Sequence, residues 1–250
     1  MKRLIWQLPA LALVAVLNVV NAADEYVADR LNLFTENYGS YNYSIDGREY
    51  EHDGENIGGS STEFIKKLMD HAGIPYKMKL RSWRVSYERA LTRPDYGVFS
   101  TGRTELREDL FEWVGPIARY NWIVMVKKDS PLQINSLEDI RGLKVGGYRN
   151  DAVTEYVQNA GIEVSDLPNE SANPHLLQDG LIDVWVTSDV SAWSVAEATG
   201  YTEIEVGYVF KTVDMYLAMN KDTRPEWLDQ LYASYDALVE AGELELPTYE

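Results

Sequence analysis

Strand-like and helix-like stretches alternate along almost the whole chain, and that alternation restricts the fold more than any other feature of the sequence. From Arg141 onward, Leu143 to Gly147 is a short apolar run, and Ala152 to Ala160 carries helix-compatible apolar spacing that stops at Gly161. Strand then helix is predicted. Ile162 to Leu167 follows as a strand, Asn173 to Gln178 as a short helix, Ile182 to Val186 as a buried strand, and Ser191 to Thr199 as a helix ending at Gly200. The front half repeats the scheme. Leu31 to Phe34 reads as a strand, Ser61 to Ala72 as a helix ending at Gly73, Tyr76 to Leu80 as a strand, Val85 to Leu91 as a helix and Tyr96 to Phe99 as a strand. Repeated strand–helix units predict an α/β fold with a mostly parallel sheet and helices on both faces.

No Ser/Gly-rich linker, short-period repeat or low-complexity tract separates the two units. Two lobes without a linker are joined by ordered crossing segments that can hinge. Ala118 to Val126 is the first candidate crossing and Tyr208 to Ala218 the second, after which Arg224 to Ala241 reads as a helix returning to the first lobe. Residues 23–118 plus 212–250 are then expected to form lobe 1, and residues 119–211 lobe 2.

Residues 1–22 read as a cleaved export signal, with Lys2 and Arg3 at its positive start, Leu4 to Val20 as the apolar stretch and Val20-Asn21-Ala22 as a small-residue cleavage site. A membrane anchor is the alternative, but Gln7, Pro9 and Asn18 interrupt an apolar stretch already marginal against the roughly 20 residues that span a bilayer. The mature chain is expected to begin near Ala23, in the periplasm. The sequence has no cysteine, so disulfides, thiol catalysis, thiolate metal sites and lipid attachment through cysteine are excluded. Lys2 and Arg3 leave with the signal, so 21 basic side chains face 40 acidic ones, a net charge of −19. Nucleic acid and anionic membrane would both be repelled.

Three places could carry chemistry. Thr104-Glu105-Leu106-Arg107 follows the strand Tyr96 to Phe99 through a turn containing Gly102. With Thr104 as N-cap, Arg107 falls in a first helical turn and points back to the strand end, where free N–H groups and the helix dipole gather. A carboxylate there would meet a two-pronged donor; the alternative is a surface pair with Glu108 or Asp109. Thr187-Ser188-Asp189 lies at the carboxyl end of the strand Ile182 to Val186, the edge at which open α/β sheets bind ligands. Asp189 there either meets a cation or caps the following helix. Asn150-Asp151 forms the turn before Ala152, with Asp151 a good N-cap. His52, His71 and His175 are scattered without a zinc-like spacing, and no serine has a histidine partner implied, so no metal, cofactor or catalytic residue is expected.

These stretches carry a family resemblance. Thr35-Glu36-Asn37-Tyr38-Gly39-Ser40-Tyr41-Asn42-Tyr43, then Gly59 opening the first long helix, then Thr104 to Arg107 running on through Phe111-Glu112-Trp113-Val114-Gly115-Pro116-Ile117, resembles the periplasmic solute-binding proteins of family 3, the polar amino-acid binders of ABC importers. Leu137 to Gly146 resembles that family's entry into its second lobe, and Gly180-Leu181-Ile182-Asp183 through Asp189 its later ligand strand. The resemblance implies a two-lobed periplasmic binding protein fold, type II-like, with the ligand cleft between lobes joined by two hinge crossings. It implies Arg107 for a ligand α-carboxylate, Asp189 for its α-ammonium, Tyr41 and Trp83 as aromatic walls that could equally be core, and Ser100 and Gly102 offering hydroxyl and backbone groups. Asn150-Asp151 departs from the family's Gly-Thr or Gly-Ser at the second-lobe turn, and Gly39-Ser40 from its double proline.

The expected function is capture of a small zwitterion, an amino acid, by cleft closure and delivery to an ABC transporter permease, as a monomer and without catalysis. Two alternatives stand beside it: a cyclohexadienyl dehydratase-like enzyme on the same fold, with Glu36 or Glu205 imagined as proton donor, and a ligand-sensing partner of a membrane receptor.

Overall fold

A computed structural model describes residues 30–244; the expected export signal lies outside the described residues. In chain order the elements are β1 (Leu31–Thr35), β2 (Tyr43–Ser44), β3 (Ile57–Gly58), α1 (Ser60–Ala72), β4 (Tyr76–Leu80), α2 (Trp83–Thr92), β5 (Tyr96–Gly102) and β6 (Phe111–Lys127). The second half of the chain adds β7 (Val145–Tyr148), α3 (Ala152–Asn159), β8 (Val164–Leu167), α4 (Asn173–Gln178), β9 (Val184–Ser188), α5 (Asp189–Thr199), β10 (Ile204–Asn220) and α6 (Pro225–Glu240).

The helix ends reflect local chemistry. In α1 the residues Phe64, Ile65, Leu68 and Met69 recur on one buried face, and the helix stops at Gly73, whose φ of 65° is the left-handed conformation that glycine adopts without a Cβ penalty. Gly200 ends α5 in the same way with φ 75°. Each fully buried leucine such as Leu68 contributes roughly 1.5–3 kcal/mol of transfer free energy.

The eight long strands form one sheet in the order β4-β1-β5-β10-β6-β9-β7-β8, with β2 and β3 pairing separately. Strand β1 is parallel to β4 and β5, and β7 is parallel to β8 and β9. The two parallel blocks are the two lobes. Between them β6 and β10, 17 residues each, run antiparallel from one lobe into the other, with register shifts between Val206 and Tyr208, Val209 and Lys211, and Met215 and Leu217. Both stretches expected as crossings, Ala118 to Val126 and Tyr208 to Ala218, lie within this pair. Helix α6 packs back on α1 in lobe 1. Trp122 on β6 and Trp185 on β9 are fully buried beside the crossing. No described helix is long and apolar enough to cross a membrane.

One local expectation fails. Thr104 does not cap a helix: its buried Oγ1 has no hydrogen-bond partner, and Arg107 precedes a single 3-10 turn, Glu108–Leu110. The chain there is two successive turns, Arg107 N–H to Thr104 O (2.9 Å) and Leu110 N–H to Arg107 O (2.9 Å). Burial of the next residues is the cause. Phe111 and Trp113 are the first inward positions of β6, and they draw the backbone into the sheet before an α-helix can form.

Candidate functional site

The carboxyl ends of β1 and β5 in lobe 1 face the start of α3 in lobe 2, and a cavity lies between them. Its walls include Thr35, Glu36, Tyr38, Asn42, Trp83 and Phe99, then Ser100, Gly102, Arg107, Tyr120, Asp151 and Ala152. Its volume is ≈ 10 Å3, the room that one water needs, on the order of 10–15 Å3. Nothing larger than a water fits there with the lobes in this arrangement.

Arg107 is the centre of the seam. Although it arises from a loop of lobe 1, its side chain is only 2% exposed, and the acceptors of its hydrogen bonds belong to lobe 2. Glu155 Oε2 accepts from Nε (3.2 Å) and Nη2 (2.8 Å), and the Asn150 carbonyl accepts from Nη2 (3.0 Å). The guanidinium lies 5.6 Å from the ring centre of Trp83 and 4.9 Å from that of Tyr87, within cation–π range. Burial works against its charge, but Glu155, Tyr87 and Asp151 more than offset that and hold its pKa above the ordinary value.

Lobe 2 meets this side chain through a turn of unusual backbone. Asn150 has φ 61°, a left-handed conformation that asparagine tolerates. Its carbonyl accepts from Arg107 and also from Trp83 Nε1 at 2.7 Å. Asp151 is the N-cap of α3, accepting from Val153 N–H at 3.0 Å, and so stands at the cavity wall. Glu155 is one turn further along the same helix face. In lobe 1, Ser100 also has positive φ (58°), and its hydroxyl bonds Asn42 Oδ1 at 2.9 Å. Gly102 is required by close approach, since a Cβ there would lie 2.7 Å from the Tyr120 hydroxyl.

Acidic groups dominate the remainder. Burial, with the charges of Glu170 and Asp151 adding to it, pushes the Glu36 carboxyl well above its usual range. Burial and Asp151 push Glu170 up to about 7, although Ser191 and Thr187 bond it; the Thr187 contact is 2.6 Å. Asp151 is raised too, by burial, with Arg107 pulling the other way. Among the described residues, no group of His, Cys, Asp or Glu side chains is arranged to hold a metal ion.

The residues expected from the sequence divide. Arg107, Trp83, Ser100, Gly102 and Asp151 line the cavity, and Asn150 closes it by its carbonyl. Asp189 and Tyr41 lie elsewhere. Asp189 is the first residue of α5, where Ser188 rather than Asp189 is the N-cap, and its carboxylate accepts from Asn121 N–H of the crossing strand at 3.1 Å. The Tyr41 hydroxyl donates to the Arg119 carbonyl at 2.6 Å, also on the crossing. Tyr38, Asn42, Glu155 and Glu170 were not assigned to a site, and Glu36 was named only as a proton donor in the enzymatic alternative. Glu36 comes directly after β1, so the strand-end rule would have found it; Glu170 enters from a single 3-10 turn with no local signal.

No family model matches the sequence, and no curated protein matches it. Solved structures do. A histidine kinase sensor domain with similarity to periplasmic binding proteins superposes with TM-score 0.74 at 17% identity, over 86% of this chain and 92% of that one. The arginine-, lysine-, histidine-binding protein ArtJ from Geobacillus stearothermophilus gives 0.71 at 14% identity, over 86% and 91%. A mutant of ArgBP from T. maritima gives 0.70 at 16% identity, over 86% and 91%. The chain has the two-lobed periplasmic-binding-protein fold, and these neighbours agree with the family resemblance read from its sequence.

Proposed function

We propose that this chain is a periplasmic solute-binding protein whose lobes close over a small amino compound, an amino acid or a near relative of one, and which presents the closed form to an ABC importer without acting chemically on its cargo. The supporting observation is Arg107, a lobe 1 side chain 2% exposed whose hydrogen-bond acceptors all come from lobe 2. A guanidinium buried between lobes costs several kcal/mol unless it is paired. Closure pairs Arg107 with Glu155 and gathers the acids Glu36, Asp151 and Glu170, so a solute that neutralises those acids favours the closed form, and the difference between open and closed forms is what a permease can read. That neighbours of this fold are described as arginine-binding proteins supports the ligand class.

The test is a thermal-shift panel of amino acids and amines on the mature protein and on Arg107→Ala. A ligand at ~100 times its Kd adds about 2.7 kcal/mol of stability. Shifts with amino compounds are expected, altered in the variant because the seam that Arg107 closes is lost; shifts confined to sugars or dicarboxylates would overturn the reading. One observation favours the enzymatic alternative, the raised carboxyl of Glu36 in the same cavity as Arg107, which suits a general acid. Release of phenylpyruvate from prephenate by the purified protein would decide for it.

A further inference from the structure

Resting on that solute-binding reading, we infer that the cleft takes an organic cation with no free carboxylate, a primary amine, diamine or guanidine, because Glu155 already neutralises Arg107 and the other charged groups of the cavity wall are acids. The Nε–Nη2 edge of the guanidinium is one of the two edges that a carboxylate can grip. Here one oxygen of Glu155 receives both of those N–H groups. The pair is one positive and one negative charge, so Arg107 offers the rest of the cavity little net attraction for an anion. An incoming carboxylate must displace Glu155 or take the other edge of an already neutralised guanidinium, and it then faces Asp151 and Glu36 across ≈ 10 Å3 of shared space that has no second basic side chain in its wall.

A cation meets the opposite conditions. Two acids line the cavity and a third, Glu170, stands behind them, raising the pKa of Glu36 by its charge. The rings of Tyr38, Trp83 and Tyr120 line the same space, where a desolvated cation gains from aromatic faces.

Ionisation of the acids is also coupled to the cation. With Glu170 pushed up to about 7 and Glu36 raised by burial, a bound cation releases protons from them near neutral pH.

The experiment is titration calorimetry of the mature protein with three amines and their carboxylated parents: putrescine and ornithine, cadaverine and lysine, agmatine and arginine. At least one amine is expected to bind about tenfold or more tightly than its parent, with proton release measured as a buffer-dependent enthalpy. Glu155→Gln, which keeps shape and removes the charge, is expected to narrow that preference about tenfold by freeing Arg107. Parents that bind as tightly as their amines, or a preference unchanged in Glu155→Gln, would overturn the inference and leave the solute-binding reading in place. Binding of none of the six would overturn both.

Discussion

Lobe 2 offers two aspartates at the starts of helices that come after parallel strands, Asp151 after β7 and Asp189 after β9, and they finish in different surroundings. Asp151 stands in the cavity wall facing Arg107 and is raised by burial. Asp189 is engaged by the backbone of Asn121 on the crossing strand, and the groove beside it is lined by Gly39, Ser40, Val190 and Trp193. The strand order accounts for the difference. Because β9 pairs directly with β6, its end abuts the hinge, whereas β7 is one strand further out and its end opens into the cleft. Being at the carboxyl edge of a parallel sheet is thus insufficient to put a residue in the cavity; the distance from the crossing strands decides which edge residue reaches it.

The largest expected effect is on the cavity side. Arg107→Ala removes the positive partner of Glu155 and leaves Asp151 facing other acids, at a cost of about 3 kcal/mol by denaturant unfolding. A loss below about 0.5 kcal/mol, typical of surface changes, would mean that the seam is not closed on Arg107 in solution. Next comes pH. Glu170 faces Asp151, Glu36, Tyr38 and Tyr148 as well as the hydroxyls of Thr187 and Ser191. Its folded pKa is raised from 4.5 to about 7, so the unfolded chain ionises first as pH rises, and stability falls by ~3 kcal/mol across that window. Glu170→Gln should flatten the slope between those values; Asp189→Asn should not. Equal slopes in wild type and Glu170→Gln would show that the acids are solvated.

How much of this was legible in the sequence depends on how far apart the responsible residues are. Helix α4, Asn173–Gln178, and strand β4, Tyr76–Leu80, were readable to the residue, because turn residues and apolar spacing are local signals. The full extent of β6 and β10 was not, since each changes lobes in mid-strand and its burial pattern mixes the demands of two cores. Arg107 was legible through its neighbourhood, although its backbone was misread: the helix that Thr104 would start loses to the buried rings of Phe111 and Trp113. Glu155 was illegible as a site residue because its partner is 48 positions away, and in isolation it reads as a solvated helix residue.

The aspartates can be set against each other directly. Asp151→Asn keeps a good N-cap for α3, so stability should stay within a few tenths of a kcal/mol. The lost charge should weaken binding of a cationic ligand by about tenfold, or ~1.4 kcal/mol. Asp189→Ala should do the reverse, costing about 1 kcal/mol of stability through the lost Asn121 bond and less in affinity. If Asp189→Ala costs more affinity than Asp151→Asn, the ligand lies on the hinge side and the assignment of the cavity is wrong.

The smallest effect concerns the tie between the two sides. Tyr38 belongs to both: its ring lines the cavity, edge-on to Tyr120 with centroids 6.2 Å apart, while its hydroxyl donates to Ser188 Oγ in lobe 2 at 2.6 Å. Ser188 Oγ also accepts from Ser191 N–H as the cap of α5, so one oxygen ties the first lobe to the hinge-side helix. Tyr38→Phe keeps the cavity wall and removes only the tie. It should cost about 1 kcal/mol, shifting the closed population roughly fivefold, which small-angle scattering would register as a larger radius of gyration in the ligand-free protein. Ligand should restore the compact form in the variant if closure is driven from the cavity. Failure of ligand to restore it would mean that the hinge-side contact, and not Arg107 with its acids, holds the lobes together.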